Sequence, residues 1–190
     1  MIIKHQLTNE DFYNPNWEIK HLFIGTFNPQ GGQRVNYFYG RDSNFTWKIL
    51  SKIFDENFNP FDDNFTELFF RNIIKHKIAC VDIINFVKFD ENAIDENEII
   101  GRGYSDSKII NNKVYREYNT ESILEIIRNN PNINIYSTWG KGSNLKSWRV
   151  EIEKFSNLIK LVSPSKVARV PKGVVKFDYI LNDWKNKINR

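Results

Sequence analysis

Three short segments of this chain hold the residues whose types and spacing invite chemistry. The first is Leu22-Phe23-Ile24-Gly25-Thr26-Phe27-Asn28-Pro29. The second is Tyr37-Phe38-Tyr39-Gly40-Arg41-Asp42-Ser43-Asn44-Phe45-Thr46-Trp47-Lys48-Ile49-Leu50. The third is Leu161-Val162-Ser163-Pro164-Ser165. Asn44 falls in the first turn of a predicted helix, where the positive end of the dipole favours an anion such as a phosphate. The plainer reading is a capping or first-turn asparagine. Asn28 before Pro29 reads as a polar site residue or as a simple turn. Ser163-Pro164-Ser165, with Lys166 and Arg169 just beyond, reads by itself as a surface turn.

Other machinery is missing from the sequence. Lys141-Gly142-Ser143 lacks the upstream glycine of a phosphate loop, and no G-x-G-x-x-G or G-x-S-x-G occurs. Gly101-Arg102-Gly103 is too short to carry meaning. Asp90, Glu91, Asp95 and Glu96 read as a solvated loop sooner than as a metal site. The single cysteine, Cys80, and three scattered histidines, His5, His21 and His76, form no metal-ligand cluster and no disulfide. The expectation is a chain with no metal and no cofactor.

These segments need elements to hold them. Residues 20–25 form a continuous apolar run ending at glycine, as buried parallel strands do. Asp42 and Ser43 are placed to cap a helix whose apolar stripe is Trp47, Leu50, Ile53 and Phe54. Residues 65–74 predict a second helix, and 78–84 a second strand or strand–helix junction. Residues 88–98 predict an exposed loop. A helix from Thr120 or Asn119 to Arg128, a strand over 132–140, a helix over 146–155, a strand over 158–162 and a helix over 177–188 complete the chain. Alternating strands and helices imply a parallel sheet covered on both faces. Sites in such sheets collect at the carboxyl ends of strands. That rule selects the positions after Gly25, Ile84, Gly140 and Val162.

Bulk properties bound the rest. The length, 190 residues, suits one domain. Aromatic residues make up 15% of the chain, enough to line a pocket as well as a core. Residues 141–190 hold twelve Lys or Arg against four Asp or Glu, whereas residues 1–140 hold fifteen against nineteen. A basic C-terminal quarter on an otherwise acidic chain is a footprint of nucleic-acid binding. The N-terminus has no long apolar run and no stretch approaches a membrane span. The expectation is a cytoplasmic protein with no membrane association.

Taken in order, the three segments resemble the uracil-DNA glycosylase superfamily. The shared order is a strand ending in glycine, a short loop with an amide, a Tyr-Gly segment leading through Asn44 to Trp47, and a late Ser-Pro loop. The second segment is most similar to the hypoxanthine-DNA glycosylase branch. Asp82 within the apolar run at 78–84, the stretch Gly103-Tyr104-Ser105-Asp106-Ser107, and the helix–Pro–strand–Gly run over 121–140 are also similar to that branch. The resemblance spans residues 20–184.

The resemblance implies a three-layer α/β/α sandwich around a central four-stranded parallel sheet, as a single uracil-DNA glycosylase-like domain over residues 1–190. It implies base excision in DNA repair: a deaminated base, hypoxanthine or uracil, is flipped from DNA and its N-glycosidic bond is hydrolysed without a cofactor. The chain would be a monomer and its partner DNA carrying a damaged base. Asn44 ranks first as the residue that orients the attacking water, Asn28 second. Gly25, Thr26 and Phe27 would form the loop that meets the base, with Phe27 as its stacking face. Tyr39 and Gly40 would shape the pocket wall. Ser163, Pro164, Ser165 and Lys166 would press on the DNA backbone.

Two features depart from the branch. Trp139 stands before Gly140 where an Asn is usual, exchanging a base-reading amide for an indole. The late loop is also shorter than the usual Ser-Thr-Ser-Pro form. Several related branches place one residue between the glycine and the Asn or Asp before Pro, where two separate Gly25 from Asn28. Two other readings therefore stay open. One is a protein of the same fold that binds modified or damaged DNA, or nucleotides, without cleavage. The other is an α/β hydrolase or nucleotide-processing enzyme unrelated to DNA.

Overall fold

The computed structural model describes residues 1–7, 15–58, 65–100, 106–110, 112–139 and 148–188. Apolar runs pair side by side at its centre. Strand β2 (His21–Gly25) lies parallel to β3 (Ile78–Asp82) on one side and to β6 (Asn134–Ser137) on the other, and β7 (Ile159–Lys160) extends the sheet beyond β6. The order β3-β2-β6-β7 makes β2 a central strand, and all five of its residues are buried. Burial on both faces explains its continuous apolar sequence.

Strand alternation divides the core into two packed clusters. Leu22, Ile24, Ala79, Val81 and Ile135 face one cluster, to which Ile123 of α5 (Thr120–Asn129) and Ile152 of α6 (Arg149–Glu153) contribute. Phe23, Ile78, Cys80 and Tyr136 face the other. There they meet Trp47, Ile49 and Leu50 of α1 (Thr46–Phe54), Phe69 and Ile73 of α2 (Phe65–Lys75), and Ile180, Trp184 and Ile188 of α7 (Lys176–Ile188). Helices thus cover both faces of a four-stranded parallel sheet, as the apolar pattern predicts. Phe23 stacks between Tyr136, at 4.9 Å and 18°, and Trp184, at 5.6 Å and 10°, so that β2, β6 and α7 share one row of rings.

A second sheet was not legible in the sequence. Strands β1 (Ile2–Lys4), β4 (Ile84–Lys88) and β5 (Tyr115–Tyr118) form an antiparallel sheet in the order β1-β4-β5. The run 78–84 therefore breaks after Asp82. Ile83 N–H still reaches Gly25 C=O and Ile84 N–H reaches Thr26 C=O, after which the chain leaves for the second sheet. The predicted loop at 88–98 contains the end of β4 and the start of α3 (Glu96–Ile100), which is followed by α4 (Asp106–Ile109). Phe89 and Ile94 are buried there, which a wholly exposed loop would not allow. Among the described residues no helix is long and apolar enough to cross a membrane.

One buried group makes stability depend on pH. His21 opens β2 with Nδ1 3.1 Å from the Tyr136 hydroxyl and its ring edge-on to Phe54. Burial, then the charge of Lys20 and then His76, lower its pKa from 6.5 to about 4. The folded state holds His21 neutral while the unfolded chain binds a proton, so stability falls as pH drops from 6.5 toward 4. The expected slope from this residue is ~1.4 kcal/mol per pH unit, one proton's worth. Denaturant titrations across that window should show it, and His21→Gln should flatten it; an unchanged slope in the variant would contradict the assignment.

Candidate functional site

The carboxyl edge of the parallel sheet gathers polar side chains that are otherwise scarce in this core. Asp82 ends β3 beside Gly25, its register partner at the end of β2. The carboxylate is only 2% exposed, yet it is well supplied with donors. Asn28 Nδ2 donates to Asp82 Oδ2 at 2.8 Å, and His5 Nε2 lies 2.7 Å from the same oxygen. Leu7 N–H donates to His5 Nδ1 at 3.1 Å. That bond makes Nδ1 the acceptor, so Nε2 carries the ring hydrogen and donates to Asp82. The result is a chain of oriented groups: Leu7 N–H to His5, His5 to Asp82, and Asn28 to Asp82.

His5 reaches this place through backbone pairing. Just past β1, its N–H donates to Asn85 C=O at 2.8 Å, and it bridges Pro29 on the other side. Gln6 N–H donates to Asn28 C=O and Gln30 N–H to Lys4 C=O, each at 2.8 Å. The loop after β2 is thus stitched to the continuation of β1. The His5 ring lies between Phe27 and Phe38, 5.8 Å from each centroid. Burial first, and then the neighbouring Asp82, push the Cys80 thiol well above its ordinary pKa.

Gly25 makes this arrangement possible. A Cβ there would lie 2.2 Å from Asp82 Oδ1 and 2.9 Å from the Tyr39 hydroxyl, so both groups occupy the space a side chain would claim. Tyr39 reaches it from a left-handed backbone conformation, φ 59°, uncommon for a bulky residue and a sign of a constrained site. Its hydroxyl lies 3.1 Å from Thr138 Oγ1, and Thr138, just past β6, is itself tied to Ile24 C=O. Gly40 N–H closes a tight turn on Tyr37 C=O, where a Cβ would approach that oxygen to 2.9 Å.

The second and third segments meet each other. Phe45 N–H donates to Pro164 C=O and Lys166 N–H to Ser43 C=O, each at 2.8 Å, and Asn44 bridges Ser165. Asn44 Oδ1 accepts from Thr46 N–H at 2.8 Å and from Thr46 Oγ1 at 2.7 Å. Both acceptor sites of that oxygen are filled, and the amide closes the start of α1. The helix N-cap is Phe45, not Asp42 or Ser43, and it makes no side-chain bond; Asn44 supplies the missing acceptor from one position earlier. Ser163 Oγ and Ser165 Oγ accept from Ser165 N–H and Val167 N–H, which shape the loop, and Lys166 stands exposed beyond them.

Thr26 is half-buried and lends its carbonyl to Ile84. Phe27 is 4% exposed and belongs to the core cluster. Trp139 packs at the edge of that cluster, 5.6 Å from Trp148, and neither indole N–H has a partner among the described residues. Gly140 lies outside the described residues, as does the start of the helix predicted over 146–155. Sequence reasoning missed His5 and Thr138 and saw Asp82 only as a charge in an apolar run. For Asp82 that was a usable signal, because a buried carboxylate needs partners.

Replacing Gly25 by alanine should drive a methyl group into Asp82 Oδ1. The expected loss is about 1–3 kcal/mol, the usual cost of overpacking a filled core. Thermal unfolding of Gly25→Ala measures it; a melting temperature equal to that of the parent chain would mean the carboxylate moves freely, contrary to its hydrogen bonds.

Searches of family models, of curated proteins and of solved structures find no match to this chain.

Proposed function

We propose that the chain is a monofunctional DNA N-glycosylase that hydrolyses the bond between a deaminated base, hypoxanthine or uracil, and its deoxyribose. The observation that carries this reading is the orientation of Asn28. Asp82 accepts from its Nδ2, so the amide cannot flip, and Oδ1 is left without a donor among the described residues. A fixed, uncharged acceptor at the carboxyl edge of a parallel sheet is suited to hold a water against C1′. Asn44 is not so placed, because Thr46 saturates its Oδ1. Its remaining group is a donor at the start of α1, suited to a phosphate or to the charge on a departing base. The two asparagines thus divide the work, with Asn28 taking the water that the sequence resemblance assigned first to Asn44.

The surroundings support the same reading. The Ser163-Pro164-Ser165 loop is bonded to the start of α1 and is followed by exposed Lys166 and Arg169, a polar edge fit for a phosphate backbone. No lysine adjoins Asp82 or Asn28 among the bonds described, so the chemistry proposed is hydrolysis by water without strand cleavage. Recognition without cleavage is a second reading, favoured by Trp139, which puts an indole where the similar branch carries a base-reading amide.

Labelled oligonucleotides carrying uracil, hypoxanthine or xanthine, treated with alkali to reveal abasic sites, test the proposal. Base release should fall about a hundredfold in Asn28→Ala, within the range typical of a group that positions the reacting water. In Asn44→Ala the larger effect should be ~1 kcal/mol of stability, a lost cap. No release from any of the three, alongside DNA binding that weakens steeply with salt, would favour recognition without cleavage. DNA binding indifferent to salt would count against both.

A further inference from the structure

Both asparagines of the proposed mechanism are uncharged, and neither can take a proton from water. A hydrolysis that forms a C–O bond from water must place that proton somewhere. We propose that Asp82 is the catalytic carboxylate that accepts it, with His5 as its positioning residue; the inference rests on the glycosylase reading above.

The geometry separates the roles of the two carboxylate oxygens. Oδ2 is committed to Asn28 Nδ2 and His5 Nε2. Oδ1 receives no hydrogen bond from a described residue and lies over Gly25, on the side where the Tyr39 hydroxyl arrives. A Cβ at position 25 would lie 2.2 Å from Oδ1, too close for both to keep their places. His5 cannot itself serve as the acceptor: its one unprotonated nitrogen, Nδ1, is already taken by Leu7 N–H. Its Nε2–H can only hold Asp82 in place and stabilise its charge. Asn28 is bonded to the same carboxylate through Nδ2, which couples the amide proposed to hold the water to the group proposed to take its proton.

The water oxygen bonds to C1′ while the C1′–N bond breaks, and the bonding pair leaves with the base. One water proton passes to Asp82 Oδ1, converting the carboxylate to a carboxylic acid. The base anion takes a proton from solvent, and the acid returns its proton to solvent before the next turnover.

Asp82→Asn separates proton transfer from positioning, because an amide oxygen in place of Oδ2 still accepts from Asn28 and His5. The full-length chain is assayed in single turnover on whichever of the uracil, hypoxanthine or xanthine oligonucleotides the parent chain processes, with DNA affinity measured beside it. The expected result is a fall of about a hundredfold or more in base release with affinity unchanged. Asp82→Ala should lose as much and recover about tenfold when formate supplies an external carboxylate. Release by Asp82→Asn within about fivefold of the parent, or an Asp82→Ala rate that formate leaves unchanged, overturns the assignment while the glycosylase reading stands. No release by the parent chain overturns both.

Discussion

One oxygen atom organises this fold's polar interior. Asp82 Oδ2 collects hydrogen bonds from Asn28 and His5, and without them a carboxylate at 2% exposure would be prohibitively costly. Meeting that need constrains much of the neighbourhood. The loop after β2 must return past β3 so that Asn28 can reach. The chain before β2 must pair beside β4 so that His5 can reach. Position 25 must lack a side chain so that the other carboxylate oxygen has room. The second sheet is part of the same requirement, since its β1 strand delivers the histidine.

The rest of the edge follows a different logic. At the start of α1, backbone groups that a helix leaves unpaired are satisfied by Asn44 and by the Pro164 carbonyl. The loop that would touch a phosphate backbone is thereby welded to the helix end that would face an anion. Tyr39 links this half to the other, with its hydroxyl shared between Thr138 and the face of Gly25. The left-handed backbone at Tyr39 is the strain needed to bring it there.

The centre of the parallel sheet was legible because β2 and β3 are buried on both faces, which leaves uninterrupted apolar runs at 22–24 and 78–81. The helices at 120–129 and 176–188 were legible because their apolar stripes repeat at helical spacing. The antiparallel sheet was not. Its strands are three to five residues long with mixed burial, and β5, Tyr115-Arg116-Glu117-Tyr118, reads as polar chain. Within the site, Asn28, Tyr39, Asn44 and Ser165 could be singled out by type and setting. His5 could not, since nothing local marks a histidine whose partner is 77 positions away. The ordering of Asn44 over Asn28 reversed in the functional reading for a similar reason. Spacing identifies an amide, but only its hydrogen bonds tell which of its ends is spoken for.

Those long separations have a consequence for how the site comes into being. His5 to Asp82 closes a span of 77 residues, Asn28 to Asp82 one of 54, and Tyr39 to Thr138 one of 99. Each closure costs chain entropy that grows with the logarithm of its length, and none is compensated until the sheet between them exists. A fragment that ends before β3 or β6 lacks a partner that this edge requires. Assembly of the edge is thereby tied to the pairing of the whole parallel sheet.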